Sequence, residues 1–315
     1  MAYPARGPLG GESQVETMKW PFALLLATAL AAQQPKQQPK QDPAFELPES
    51  VELKADLVYA AYGSRQLRLD LFLPKSGTGP FPAVVYIHGG GWSGGNKGAF
   101  RRQAAHMATK GFAGACIEYR LSGEAKFPAA LYDSKAAVRW MRANAKQYRV
   151  NPDRIGAAGG SAGGHLVAML GTTAHIRELE GDGGNAGISS RVQAVAAFNP
   201  AVDLVSFGKK ASDNASNSVF AFLGATFADK PDLWAQATPL THVRKDSAAH
   251  LFLHGTSDAL VPYQQSVDMM EKLKKAGVPA EIFTADGASH GFFNRPPWFE
   301  PTLHRMEEFF TRLLR

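Results

Sequence analysis

Two runs of alternating apolar and polar positions, 55–62 and 66–73, open the patterned part of the chain, and Gly63-Ser64 between them suits a tight turn. Together they predict an antiparallel hairpin. Next comes Ala83-Val84-Val85-Tyr86-Ile87, apolar at every position, as in a strand buried on both faces. Similar short runs recur at 113–117, 155–158, 192–198, 251–253 and 280–284. Helical periodicity fills most of the gaps. Over 128–149, Ala137, Val138, Met141, Ala145 and Tyr148 share one face; a second helix is predicted over 262–276, closed by Gly277; over 301–315, Leu303, Met306, Phe310, Leu313 and Leu314 form one stripe. A hairpin followed by repeated strand–helix units predicts an α/β fold with a mostly parallel sheet covered on both faces. The pattern loosens over 199–250. There 208–218 is polar and 219–223 apolar, so a loop or small cap beside the site is expected.

Upstream of the hairpin the chain reads differently. Met18-Lys19-Trp20-Pro21 precedes a short apolar run, 22–32, that ends in small residues. A positive charge, a short apolar stretch and an Ala-x-Ala pattern make a secretory leader. The run is shorter than the roughly 20 apolar residues a membrane span needs. The Gln- and Pro-rich stretch that follows has nothing to bury and reads as a tether. The expected organisation is a leader over 1–32, a linker over 33–48 and one catalytic domain over 49–315. Met18 would be the initiator, or 1–17 an extended leading segment. A secreted or periplasmic bacterial protein is expected, with no stable membrane insertion once the leader is removed.

Composition narrows the field only modestly. With 45% hydrophobic and 20% charged residues among 315, the chain is globular rather than disordered. Its 34 basic and 28 acidic side chains leave a net charge of +6, spread along the chain, so no nucleic-acid partner is expected. A single cysteine, Cys116, excludes an internal disulfide and a cysteine metal cluster, and is expected to be a buried apolar side chain.

The chemistry is carried by four separated pieces. Gly159-Gly160-Ser161-Ala162-Gly163 follows the run at 155–158 and opens a helix. A serine on such a strand-to-helix turn is exposed as a nucleophile, with the helix amino terminus beside it. His88-Gly89-Gly90-Gly91-Trp92 ends the run at 83–87; the amides of Gly90 and Gly91, with that of Ala162, are candidates to hold an oxyanion. Asp258 lies just after 251–253 and His290 just after 280–284. His290 would take the Ser161 proton and Asp258 would orient the imidazole. Asp203, after the run ending at Phe198, is the reserve acid.

At these residues the chain resembles the α/β-hydrolase superfamily over about residues 50–315. More narrowly it resembles secreted bacterial bifunctional feruloyl and acetyl-xylan esterases. The stretches that carry the likeness are Tyr86-Ile87-His88-Gly89-Gly90-Gly91-Trp92, Glu118-Tyr119-Arg120-Leu121, Phe127-Pro128-Ala129-Ala130, Gly160-Ser161-Ala162-Gly163-Gly164-His165 and His254-Gly255-Thr256-Ser257-Asp258. Hormone-sensitive-lipase-like esterases share the glycine element but usually carry Asp or Glu where this chain has Gly160. The resemblance implies a serine carboxylesterase acting on a small-molecule or polysaccharide ester, with no cofactor or metal. An amide hydrolase or peptidase on the same fold, or a non-catalytic binding protein, are the alternatives.

The remaining candidates have plainer expectations. His88 is expected to brace the glycine loop, His165 to be a packed structural side chain, and Asp133 to form a salt bridge. The loop Gly181-Asp182-Gly183-Gly184-Asn185 has too few carboxylates for calcium. Lys135, Arg139, Arg142, Lys146 and Arg149 fall on one helical stripe, which predicts a solvated outer face. Trp92 and Phe292 are the candidate substrate-binding aromatics, with Phe220, Phe222, Phe293 and Trp298 nearby in pattern.

Overall fold

The computed structural model describes Ala2, residues 45–209 and residues 214–315. The expected leader, and the expected linker up to residue 44, lie outside the described residues. Within the stretch expected as linker, the Phe45 ring sits edge-on against Phe72 at 6.2 Å.

The hairpin forms as read, with β1 (Val51–Tyr62) antiparallel to β2 (Arg65–Pro74). β3 (Phe81–Ile87), α1 (Arg101–Thr109) and β4 (Ala113–Ile117) follow. The predicted helix over 128–149 is two pieces, α2 (Ala129–Ala143) and α3 (Ala145–Tyr148). Asn144 divides them; its side-chain amide donates to the Trp140 carbonyl at 2.9 Å, competing with the helical ladder. β5 (Val150–Gly160), α4 (Ala162–Thr172) and β6 (Ala194–Phe198) form the centre. The insertion then holds α5 (Leu204–Lys209), α6 (Asn214–Leu223) and α7 (Pro231–Gln236), before β7 (Ala249–Gly255), α8 (Tyr263–Lys275), β8 (Ala280–Ala285) and α9 (Phe299–Leu314).

The eight strands make one sheet in the order β1-β2-β4-β3-β5-β6-β7-β8, parallel from β4 onward. Alternation along each strand feeds two cores. Ala83, Val85 and Ile87 of β3 join Val195 and Phe252 under α2, α4 and α8, while Val84 and Tyr86 join Leu251 and Leu253 under α1 and α9. This two-sided burial is why the strands read as unbroken apolar runs. It also leaves the carboxyl ends of β3, β5, β6, β7 and β8 side by side, where ligands of open α/β sheets bind.

Two features of α2 matter later. Its expected solvated stripe is covered at Lys135 and Arg139 and half-covered at Arg142, while Lys146 and Arg149 beyond the helix are exposed as expected. Lys135 is fully buried and donates to Glu180 Oε1 at 2.7 Å and the Thr173 carbonyl at 2.8 Å. Arg139 reaches the Glu180 and Gly184 carbonyls, and Arg142 those of Pro152 and Arg191. The stretch after α4 lies across this part of the face and supplies the acceptors. Burial lowers the Lys135 pKa, partly offset by Glu180. On the same helix, the fully buried Asp133 receives a forked pair from the Arg120 guanidinium at 2.8 and 3.0 Å, and the Arg120 amide at 2.8 Å. The Tyr62 ring closes the other side of that guanidinium at 3.6 Å.

Candidate active site

β5 turns into α4 within one residue. Ser161 takes φ 55° and ψ −118°, a conformation that L-residues rarely adopt, and is pinned by its amide on the Phe198 carbonyl at 2.9 Å. The crossing leaves no room behind the serine. A Cβ on Gly163 would stand 2.1 Å from the Ile87 carbonyl oxygen and 2.6 Å from that of His88, both fixed backbone. Gly163→Ala should therefore destabilise the fold by about 1–3 kcal/mol or more through overpacking. Urea unfolding checks this: the midpoint should fall, and an unchanged midpoint would show that the elbow has slack. Gly160 is equally confined, since the Phe293 ring stands 2.6 Å from where its Cβ would go. That ring leaves no space for the Asp or Glu of the lipase-like esterases.

The structure brings Ser161, His290 and Asp258 together. Ser161 Oγ lies 2.9 Å from His290 Nε2, and His290 Nδ1 lies 2.7 Å from Asp258 Oδ2. Ser161 is half-buried, the His290 side chain is 22% exposed, and the Asp258 side chain is closed off. An ionised carboxylate only accepts, so Nδ1 carries the imidazole proton and Nε2 is free to accept from Ser161. Burial alone would raise the Asp258 pKa. Hydrogen bonds from His254, His290 and the Val261 amide outweigh it and hold the carboxyl well below its usual range. A depressed folded pKa gives stability that is present above the unfolded value, about 3.9, and lost as pH falls below it. Urea midpoints of the wild type should thus drop below about pH 4 more steeply than those of Asp258→Asn. Parallel curves would contradict this. Asp203, the reserve acid, does not reach His290; its carboxylate accepts from the Ser206 amide at 3.1 Å at the start of α5.

The glycine loop after β3 lies against this line. Gly90 and Gly91 take φ of +115° and +58°. The Ser93 and Gly94 amides close the turn on the Gly90 carbonyl, so neither bond draws on the Gly90 or Gly91 amide. His88 braces the loop, its Nδ1–H donating to the Gly89 carbonyl at 2.8 Å and its ring stacking on Tyr119 at 4.3 Å. Trp92 is buried, stacks on Phe222 of α6 at 4.6 Å and donates its indole N–H to His165 Nδ1 at 3.2 Å. His165 Nε2–H then donates to the Ala237 carbonyl at 2.7 Å. Burial pushes the His165 pKa down to about 4, so the ring is neutral and its two nitrogens are both used. His165 thus joins the nucleophile helix, the glycine loop and the insertion.

A cleft of about 50 Å³ opens on Ser161, walled by Gly91, Trp92, Ala162, Phe207, Val219 and Leu260. Phe292 does not belong to it. Its ring is 5% exposed and packs edge-on against Phe293 and Trp298 in the core under α1 and α9. The turn after His290 carries the next side chain to the opposite side of the sheet. Phe222 and Phe293 are likewise packed inside, while Phe220 is 47% exposed. Sequence reasoning missed Asn199, whose amide lies 3.3 Å from His290 Nε2 and whose carbonyl accepts from the Gly291 amide at 3.3 Å. The signal was its place at the end of β6, on the same sheet edge as Ser161, Asp258 and His290. Among the described residues, no helix is long and apolar enough to cross a membrane.

The sheet order, the elbow after β5 and the strand-end placement of Asp258 and His290 define an α/β-hydrolase. The chain belongs to the BD-FAE family, whose model matches residues 69–273. It is 30% identical over 236 residues to the probable carboxylic ester hydrolase LipM of Mycobacterium tuberculosis, covering 72% of this chain and 53% of that protein. The chain spans about half the length of the curated relatives it matches first. Among solved structures, it superposes on a truncated carbohydrate esterase from gut microbiota with a TM-score of 0.74 at 30% identity, covering 83% of this chain and 95% of the other. Esterase 2 of Thermogutta terrifontis with propionate bound gives a TM-score of 0.70 at 30% identity, covering 84% and 96%.

Proposed function

We propose that the protein is a serine carboxylesterase that hydrolyses short acyl esters, acetyl esters above all, on plant-wall carbohydrate. The observation that carries this reading is the continuous line from Ser161 Oγ through His290 to Asp258, at 2.9 and 2.7 Å. As Oγ attacks the ester carbonyl carbon, its proton passes to His290 Nε2 and the carbonyl electron pair moves onto oxygen. The amides of Gly90, Gly91 and Ala162 would receive that oxyanion. Collapse expels the alcohol oxygen, which takes the proton from His290 and leaves an acyl group on Ser161. Water repeats the sequence and releases the acid. Asp258 stays ionised throughout and stabilises the imidazolium.

The acyl preference rests on the cleft. About 50 Å³ with apolar walls suits two to four carbons. A dry cavity that takes benzene is about 150 Å³, so a feruloyl ring would have to lie across the mouth, where Leu260 is 41% exposed. Feruloyl esters are therefore placed second. The Thermogutta terrifontis esterase 2 was solved with propionate and with butyrate, which agrees with a short acyl site on a similar fold. The carbohydrate half of the reading draws on the likeness to a carbohydrate esterase. A secreted or periplasmic location, the expectation from residues 18–32, suits such a substrate.

The deciding measurement is kcat/KM across acetyl, butyryl, octanoyl and palmitoyl p-nitrophenyl esters, with acetylated xylan and methyl ferulate alongside. The expected result is a maximum at acetyl or butyryl, with acetate released from xylan. A maximum at octanoyl or longer rejects the small acyl pocket. Activity on aryl esters alone leaves a general carboxylesterase and removes the plant-wall assignment.

A further inference from the structure

The motif His254-Gly255-Thr256-Ser257-Asp258 places two functional side chains against the site rather than one. His254 is fully buried at the end of β7. Its Nε2 lies 3.2 Å from Asp258 Oδ2, the same oxygen that His290 Nδ1 reaches at 2.7 Å, and 3.0 Å from the Val261 carbonyl. Carbonyl and carboxylate oxygens only accept, so the proton of this imidazole sits on Nε2. Its Nδ1 therefore offers a lone pair, and the fully buried Ser266 hydroxyl, 2.7 Å away on α8, donates to it. The other oxygen of Asp258 is taken by the Leu260 and Val261 amides, each at 2.9 Å. The result is a line of five side chains, Ser266–His254–Asp258–His290–Ser161, with the carboxylate at its centre and an imidazole on each side. Of the five, Ser161 lines the cleft. Tyr263 is also against His254, its ring edge-on at 5.7 Å.

We propose that His254 is a positioning residue for the reaction: by sharing Asp258 Oδ2 with His290, its Nε2–H fixes the carboxylate plane and takes up part of its charge. The inference rests on the esterase reading above for its link to catalysis. When the Ser161 proton arrives on His290, the imidazolium faces a carboxylate already spoken for by His254 and two amides. That carboxylate is too weak a base to remove the Nδ1 proton, so the proton on Nε2 stays available for the leaving alcohol. His254 itself neither gains nor loses a proton. Ser266 fixes its tautomer; the opposite tautomer would set a nitrogen lone pair against both Asp258 and the Val261 carbonyl.

The test pairs two substitutions of similar size. The amide of His254→Asn falls near Nδ1, so it keeps Ser266 and loses Asp258. The amide of His254→Gln extends toward Nε2 and recovers Asp258. The titration of His290 is followed by NMR of its ring protons in the full chain. Esterase activity on p-nitrophenyl acetate is measured per site titrated with paraoxon. With His254→Asn the carboxylate keeps more charge, so the His290 midpoint should rise by about one pH unit, a tenfold change in its acid constant. Its kcat should fall on the order of 10-fold, the scale of one charge-assisted hydrogen bond, at little-changed KM. His254→Gln should recover most of both. A purely structural role would lower the number of titratable sites without moving the midpoint. An unmoved midpoint in folded His254→Asn overturns the inference, whatever the activity. A midpoint that moves in a chain with no esterase activity overturns the esterase reading and leaves the coupling of His254 to His290 standing. Should His254→Asn fail to fold, Ser266→Ala is read the same way, with a smaller rise expected and no shift counting against the proposal.

Discussion

Ser161→Ala is expected to lower kcat on p-nitrophenyl acetate by about 10⁴–10⁶-fold, the scale of losing the nucleophile of a coupled triad. The methyl side chain fits the elbow, because only Oγ is removed and the backbone pinning on the Phe198 carbonyl is untouched. Stability should be kept and KM should move little, since the cleft walls at Trp92, Val219 and Leu260 remain. His290→Ala should be nearly as severe. The double variant should be scarcely worse than either single, because Oγ and Nε2, 2.9 Å apart, act on one proton. Mass spectrometry after paraoxon should find the adduct on Ser161. An adduct on another residue, or a Ser161→Ala chain with more than a hundredth of the wild-type rate, would remove the serine mechanism.

The largest expected loss of stability lies elsewhere, at Arg120→Met. Methionine fills much of the volume but takes the guanidinium from the fully buried Asp133 carboxylate, which keeps the Arg120 backbone amide as a donor. Breaking a buried ion pair from one side costs about 3–5 kcal/mol, because an uncompensated charge stays in the interior. For a chain of this size that is a fall in Tm on the order of 10 °C. Removing both charges, as Arg120→Met with Asp133→Leu, should recover a large part of the loss. Calorimetry of the two single variants and the double one decides the matter. A single variant within 1 kcal/mol of the wild type would mean that water reaches the carboxylate.

The parts legible in the sequence are those whose signal is local. Val84–Val85–Tyr86 is apolar on both faces because the β3 strand is buried on both, so its run marks the central sheet. Ser161 is legible because the tight crossing of Gly163 over Ile87 demands glycines at fixed spacing. What was not legible depends on distant partners. The stripe from Lys135 to Arg142 has the period of an exposed helix face, and only the return of the chain at Glu180 shows that Lys135 and Arg139 are buried. The helix α6 begins in a polar stretch with weak helical preference, and is held by packing of Phe222 against Trp92 and Phe127. Phe292 has the right neighbour in sequence, His290, but points to the other core. Asn199 carries no motif of its own, and His254 opens a legible stretch in which only Asp258 has a readable role; the sheet edge reveals that both touch the site.

The bond between Trp92 and His165 joins positions 73 apart in the chain. Both ring nitrogens of His165 and the indole nitrogen of Trp92 are committed in the interior, so neither side chain can be exchanged alone without stranding a buried polar atom, at a cost of about 1–3 kcal/mol. Descent by single substitutions would have to pass through such an intermediate, against a total stability of only about 5–15 kcal/mol. The tryptophan that ends the glycine loop and the histidine one turn beyond the nucleophile are therefore expected to be inherited as a pair. A loop transplanted into a related scaffold without its histidine would carry the same stranded nitrogen with it.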